Sequence, residues 1–365
     1  MHITLLGAGH IGQTIATWLV HTRDYQVTVV DRDPDALAQL PKHDALRTHL
    51  ADSGDAQALR DALDGQDAVV NALPYHQAVH AATQAKAAGC HYFDLTEDVA
   101  ATRAIQGLAN GATTAFMPQC GLAPGFIGIV AHHLAQGFDT LHEVKMRVGA
   151  LPAFPTNSLK YNLTWSVDGL INEYCHPCEA IRDGRNIEVL PLEGLEHFSL
   201  DGTEYEAFNT SGGLGTLCET LEGRVRSLDY KSVRYPGHRD LMKMLLEELQ
   251  FNQDTETLKS VMRRSIPSTM QDVVLVFVTV SGMRRGSLVQ EVFARKIFAE
   301  RSESRPLSAI QITTAAGVCA AVDLFREGRL PSSGFIRQEQ VALPDFLANR
   351  FGRAYQQSRQ VESIG

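Results

Sequence analysis

Residues 3–12 read Ile-Thr-Leu-Leu-Gly-Ala-Gly-His-Ile-Gly, and residues 13–23 continue as Gln-Thr-Ile-Ala-Thr-Trp-Leu-Val-His-Thr-Arg. An apolar run of strand length meets three glycines and passes at once into a pattern of helical period. That context gives a short glycine pattern physical meaning, because each glycine then has a task. Gly7 permits the tight turn, Gly9 lets the backbone approach a pyrophosphate, and Gly12 lets the helix pack closely on the strand. The free N–H groups around His10 and Ile11, at the positive end of the helix dipole, are the donors for a diphosphate.

Working outward, the second apolar run ends at Asp31, 19 residues beyond Gly12. An acid there accepts hydrogen bonds from the ribose hydroxyls and repels a 2′-phosphate, so the expected cofactor is NAD, with NADP less favoured. Arg32 complicates this, since it could pair with that phosphate or stack on adenine. Asp52 after the third run, and Asn71, Leu73 and Pro74 after the fourth, fall at the carboxyl ends of strand candidates, where such sheets bind ligands. For Asp52 a solvated loop carboxylate is an equal reading, and Asn71 and Pro74 also read as helix-entry signals.

The alternation of apolar runs and helical patterns continues to about residue 140, which means a parallel sheet covered on both faces. Beyond it come EVKMRVGAL, LKYNLTWS, EAIRDGRNIEVLP and MQDVVLVFVTVSGM, read as strands with few helices between them. SAIQITTAAGVCAAVDLFREG then reads as one long helix closed by a glycine. The expected fold is α/β: a Rossmann doubly wound parallel sheet over residues 1–140, completed by 306–365, and a second mixed α+β sheet domain over 141–305.

The 365 residues are 44% hydrophobic, enough for roughly two domains with real cores. There are 33 basic and 42 acidic residues, a net charge of -9, which disfavours a nucleic-acid partner. The N-terminus has no leader-like pattern, and the longest apolar run, 273–280, is far short of the ~20 residues that span a bilayer. Six sparse cysteines read as reduced thiols of a cytoplasmic protein. The Cys175-His176-Pro177-Cys178 spacing lacks a second pair, so no metal is expected.

The segments NALPY, HYFDLTED, MPQCGLAPGF, KYNLTWSVDGLINEYCHPC, AFNTSGGLGTLCETLEGRVRSLDYKSVRYPGH and GFIRQEQVALPDFLANRFGRAY resemble the saccharopine dehydrogenase family, which includes lysine 6-dehydrogenase. The resemblance implies a Rossmann domain completed by the C-terminal segment and reversible oxidation of a carbon–nitrogen bond in a small amino-acid substrate; the expected assembly is a homodimer. It also implies that Asn71, Asp94, Cys120 and Gly121 line the nicotinamide end of the site. Glu97 stands where the family more usually has glycine.

Chemistry alone asks for a proton acceptor and a clamp for the substrate carboxylate, since hydride transfer belongs to the cofactor. Asp94, ending the fifth strand candidate, reads equally as a holder of the substrate ammonium and as an N-cap for the next helix. Cys120 has no partner base nearby and reads as a thiol lining the site. Tyr161, Lys231, Arg234 and His238 are the substrate-binding candidates, with Arg234 gripping a carboxylate and Lys231 adding a point charge. Asp168, shortly after Trp165-Ser166, reads as an acid that repels a glutamate arm. The expected activity is therefore NAD-dependent L-lysine 6-dehydrogenation. Glutamate-forming saccharopine dehydrogenation, a carboxynorspermidine-type reduction, and a non-catalytic NAD-sensing role are the alternatives.

Overall fold

A computed structural model describes residues 1–300 and 306–356. The last nine residues of the 306–365 segment, and 301–305, lie outside the described residues. The described chain divides into two compact units, Met1–Ile129 with Thr314–Ala354, and Val130–Thr313 with Tyr355 and Gln356.

The first unit is built on strands β1 (His2–Leu6), β2 (Gln26–Asp31), β3 (Leu46–Leu50), β4 (Ala68–Asn71), β5 (His91–Asp94) and β6 (Ala115–Met117). All pair in parallel, with helices in the intervening segments, as the alternation requires. β1 and β4 are buried on both faces, which is why they read as unbroken apolar runs instead of alternating. The second unit holds β7 (Thr140–Pro152), β8 (Cys178–Arg182), β9 (Arg185–Val189), β10 (Glu196–Leu200), β11 (Thr203–Asn209), β12 (Val225–Arg234), β13 (Asp272–Arg284) and β14 (Ser287–Phe298). Their order is β10-β11-β12-β7-β13-β14, with β8 and β9 branching from β12. β7 and β12 are parallel and the other neighbours antiparallel, so the sheet is mixed. A last strand, β15 (Gly334–Phe335), joins β6 and completes a seven-stranded sheet in the order β15-β6-β5-β4-β1-β2-β3. The α/β class with a Rossmann sheet and a separate mixed sheet is thus as expected.

Two local expectations fail. LKYNLTWS is not a strand: residues 158–166 run irregularly, with a single bridge from Leu163 to Ser268. EAIRDGRNIEVLP is a hairpin, β8 to β9, turned by Asp183 and Gly184, both at positive φ. The second unit is also more helical than its sequence suggested. Helices Val167–Cys175, His238–Lys243 and Thr255–Ser265 lie in it, and Tyr161, Leu170, Tyr174, Phe208, Met242 and Met262 pack into one cluster. The short helices at 238–243 and 167–175 present too few turns for a clear period.

Helix Ala309–Arg326 has the length and mean hydropathy of a membrane span, but 83% of it is buried within the protein. Its start is capped from a distance: Asp272 accepts from the N–H groups of Ala309 (2.5 Å) and Ile310 (3.0 Å). Further along, the fully buried Asp323 gathers Tyr25 (2.6 Å), Arg350 (2.6 Å), Arg326 (3.1 Å) and Asn349 (2.8 Å). This one carboxylate ties the C-terminal segment to the loop before β2. Burial opposes its charge, but the bonds from Arg350, Tyr25 and Asn349 hold its pKa below the ordinary aspartate value. A depressed folded pKa stabilises the fold above the ordinary value of about 3.9 and loses that contribution as pH falls through the folded value. Asp323→Asn should therefore cost about 1 to 3 kcal/mol in denaturant unfolding at pH 7, because Arg350 and Arg326 then keep only Asp24 and Glu327 as carboxylate partners, and the deficit should shrink below about pH 4. An unchanged midpoint at pH 7 would show that the network is dispensable.

Candidate functional site

The glycine turn of the first unit has the features a dinucleotide requires. Gly7 takes φ +99°, open to glycine at little cost, and a side chain on Gly12 would place a carbon 1.9 Å from the Gly7 carbonyl oxygen. Only glycine allows the helix His10–His21 to start so close to the strand. Its N-cap is Gly9, which has no side chain to occupy the first N–H groups, and nothing lies within 4 Å of where its Cβ would be. Gly9 and His10 are exposed and Ile11 is half-buried, so the free donors face open ground. A diphosphate fits this cradle: unspent helix N–H groups, room above them, and no acid on the first turn.

Asp31 is half-buried at the end of β2. Its Oδ2 accepts from the N–H of Ala8 (2.6 Å) and its Oδ1 from the N–H of Asp33 (2.9 Å). The carboxylate is thereby locked to the glycine turn, with a lone pair left on each oxygen. Arg32 is exposed. Asp52 is exposed and accepts from the N–H of Gly54 (2.8 Å), which is a turn-forming role. Asn71 is buried. It accepts from the N–H of Leu73 (3.1 Å) and donates to the Tyr92 hydroxyl (3.1 Å), so it shapes the segment leading to exposed Pro74.

Asp94 is wholly enclosed. One oxygen accepts from the N–H groups of Thr96 (3.0 Å) and Gln119 (2.8 Å), the other from the Tyr92 hydroxyl (2.9 Å). Burial pushes its pKa up to about 6 against the pull of those donors. The N-cap alternative fails, because Asp98 caps the helix Val99–Ala109 through the N–H of Ala101 (2.7 Å). Asp94 instead pins Gln119, a non-glycine residue at φ 66°, at the start of the Cys120-Gly121 turn. A buried carboxylate with three donors supports that strained position.

Cys120 is likewise buried. Its thiol donates to the carbonyl of Met117 (3.1 Å) and accepts from Gln338 (3.3 Å), and burial raises its pKa strongly. It stays a thiol, as expected of a residue with no base beside it. Gly121 and Cys120 are crossed closely by Gly317, where a Cβ would lie 2.4 Å from the Cys120 carbonyl. Tyr92, Gln119 and Gln338 were not candidates in the sequence. Gln338 stands 218 residues from Cys120, and nothing local marks it.

In the second unit the four substrate candidates separate. Side chains alternate along β12, so Lys231 and Arg234 face opposite sides of the sheet. Lys231 is spent in an ion network, on Glu196 (2.8 Å) and the carbonyl of Gly194 (2.5 Å), beside Arg147 with Asp229 (2.6 Å) and Glu196. It is not a second charge beside Arg234, a correction that the period of two could have given in advance. Arg234, Tyr161 and His238 do come together, with the Arg234 guanidinium 5.5 Å from the Tyr161 ring centre and the two rings 5.4 Å apart. His238 is fully buried, and burial together with the Arg234 charge lowers its pKa to about 3, so it holds position as a neutral ring and is no proton acceptor. Asp168 is not a free acid either. It pairs with Arg263 (2.5 Å) and Lys259 (3.5 Å), fastening helix Val167–Cys175 to Thr255–Ser265. Among the described residues no group of His, Cys, Asp and Glu is arranged to hold a metal.

Two family models match this chain, the saccharopine dehydrogenase NADP binding domain over residues 3–115 and the saccharopine dehydrogenase C-terminal domain over 121–353. The chain belongs to the saccharopine dehydrogenase family. It is accordingly an NAD(P)-dependent oxidoreductase acting on carbon–nitrogen bonds, and its glycine turn lies within the stretch that matches the NADP binding domain. Among solved structures, apo saccharopine dehydrogenase (L-Glu forming) from Saccharomyces cerevisiae is similar at a TM-score of 0.76 and 16% identity, covering 94% of this chain and 96% of that one. Homospermidine synthase from Legionella pneumophila, in complex with NAD, is similar at 0.69 and 14% identity, covering 97% and 89%. At such identities these likenesses speak to the fold.

For this saccharopine dehydrogenase family member, iodoacetamide at pH 8 should leave Cys120 unmodified in the folded protein while half-buried Cys175 reacts first, as read by mass spectrometry. Rapid alkylation of Cys120 with loss of activity would make it a reactive thiol after all.

Proposed function

We propose that this protein is an NAD-dependent amino-acid dehydrogenase that oxidises a side-chain amine, with L-lysine deamination at the ε-carbon as its reaction. The observation that carries the substrate class is the fate of the buried cations. The described chain buries four basic side chains, Arg147, Lys231, Arg234 and Lys259. Three of them are paired with carboxylates, and Arg234 has no ion pair. One guanidinium without a direct carboxylate pair, with only buried Glu173 acting on it electrostatically, suits a substrate with one carboxylate. Saccharopine, with a glutamate arm carrying two more, calls for further cations, because paired forks are how dicarboxylates are held. With Asp168 accounted for by Arg263, this count replaces repulsion by Asp168 as the reason for preferring lysine.

Bound nicotinamide supplies the hydride acceptor. The chain's own part is to hold the diphosphate on the helix start at Gly9, to fix the ribose through Asp31, and to hold the substrate carboxylate at Arg234. Asp94, with Tyr92 and Gln119, keeps the Cys120-Gly121 turn in shape. The substrate loses a hydride and a proton at its C–N bond, and water then releases aldehyde and ammonia. With an amine pKa of about 10.4, turnover should rise with pH. We further propose a cytoplasmic homodimer. The six cysteines are free thiols, and the open edge strand β14 exposes Leu288 and Val292.

Asp31 supports NAD over NADP, and kcat/KM for the two cofactors checks this. A preference for NADP of tenfold or more, about 1.4 kcal/mol, would mean that Arg32 governs the subsite. Ammonia release from lysine and glutamate release from saccharopine separate the substrates. Arg234→Ala should raise KM for lysine at least tenfold, since a charge-assisted bond is worth about 1.5 to 3 kcal/mol, while NAD affinity stays put. Efficient saccharopine cleavage without ammonia from lysine would overturn the lysine assignment.

A further inference from the structure

We infer that Gln13 is a positioning residue for the dinucleotide, holding the peptide between Ala8 and Gly9 so that the Gly9 N–H faces the diphosphate. This rests on the reading of the glycine turn as the diphosphate cradle and identifies what keeps that cradle in its binding form.

Gln13 directly follows the last glycine of the turn, at the start of helix His10–His21, and its side chain is buried at 3% exposure. Its Nε2 donates to the carbonyl of Ala8 (2.8 Å), and its backbone N–H donates to the carbonyl of Gly9 (2.9 Å). The backbone bond opens the helix series, and any residue except proline supplies it. The side-chain bond reaches one peptide further back, beyond the helix. It needs a donor at the end of a side chain of this length, and burial gives that donor no water to turn to instead.

A trans peptide sends its C=O and its N–H in opposite directions, and the peptide between Ala8 and Gly9 is trans. Gln13 binds the Ala8 carbonyl on the buried side, so the Gly9 N–H points away from it, to the exposed side of the turn. Among the described residues that N–H has no acceptor, and nothing lies within 4 Å of where a Gly9 Cβ would stand. By the same rule the bond from the Gln13 N–H to the Gly9 carbonyl sends the His10 N–H out beyond the helix start. The peptide before these is held by Asp31, which accepts from the Ala8 N–H (2.6 Å). Three consecutive peptides are thus oriented, and Gln13 orients two of them.

Glycine is the reason a hold is needed. Turning the peptide between Ala8 and Gly9 over changes chiefly ψ of Ala8 and φ of Gly9. Gly9 has φ -67°, but a residue without a Cβ takes positive φ about as readily. In the turned form the Ala8 carbonyl would present its negative end to the diphosphate, and a donor would be replaced by a repelling group. The glycine that lets the backbone approach the pyrophosphate therefore also loosens it, and the buried amide of Gln13 takes that freedom away.

The test uses the intact protein and calorimetric titration with ADP, which carries a diphosphate, and with adenosine, which does not. Gln13→Met keeps the length and volume of the side chain and loses the donor. It should weaken ADP about tenfold and leave adenosine within about twofold of the wild type. In turnover it should raise KM for NAD by a similar factor, with kcat at saturating NAD unchanged. Gln13→Glu should bind ADP poorly at pH 8 and recover at pH 5, where burial keeps the acid neutral and again a donor to the Ala8 carbonyl, each value being compared with wild type at the same pH. Unaltered ADP binding in Gln13→Met, equal losses for ADP and adenosine, or no recovery of Gln13→Glu at pH 5 would make Gln13 a packing residue and overturn the inference, leaving the dinucleotide reading intact. If the wild type binds neither ADP nor NAD, that reading falls and the role of Gln13 falls with it.

Discussion

The closeness of Gly12 to the Gly7 carbonyl is the constraint on which the first unit depends. At that separation a side chain of any size at residue 12 would push the helix from the sheet. Seating the helix there brings its uncapped N–H groups to the carboxyl ends of β1 and β4 and lets Asp31 bond to Ala8. The same contact that packs the fold thus builds the anion site. Asp31 is shaped by it as well, because a carboxylate anchored by two backbone donors presents its remaining lone pairs in fixed directions.

The second unit is organised by where charge can be buried. One side of its sheet carries Arg147, Asp229, Glu196 and Lys231 in mutual pairing, and the other carries Arg234 among tyrosines and a neutral histidine. The alternation of β12 sorts these residues: 229 and 231 to one side, 230, 232 and 234 to the other. A paired network contributes shape and register, whereas a solitary oriented guanidinium has unused bonding capacity. That difference is what distinguishes a structural cluster from a binding one.

Buried carboxylates in this protein mostly hold backbone in place. Asp272 starts one helix, Glu206 starts another, Asp94 supports the strained Gln119, and Asp323 draws the C-terminal segment in. Each accepts several donors; the first three take N–H groups that a chain reversal or helix start leaves without partners, and Asp323 takes side-chain donors alone. Their chemistry resembles that of catalytic acids, and only the count of donors around each oxygen tells the two apart.

The sequence by itself determined the Rossmann half, because its signals are local: a glycine turn needs residues five apart, Gly7 and Gly12, an amphipathic helix needs one period, and a strand end needs a polar residue after an apolar run. It determined the separate mixed sheet through the change of rhythm near residue 140. Tertiary structure decided the rest. Whether Asp94 touches substrate or backbone depends on Gln119, and whether Asp168 is free depends on Arg263, 95 residues away. Lys231 and Arg234 look alike in sequence, yet one bonds to Glu196 across the sheet and the other bonds to the Tyr174 hydroxyl. A residue's type states what it can bond to, but which bonds are already taken is a property of the folded neighbourhood, and that property decides function.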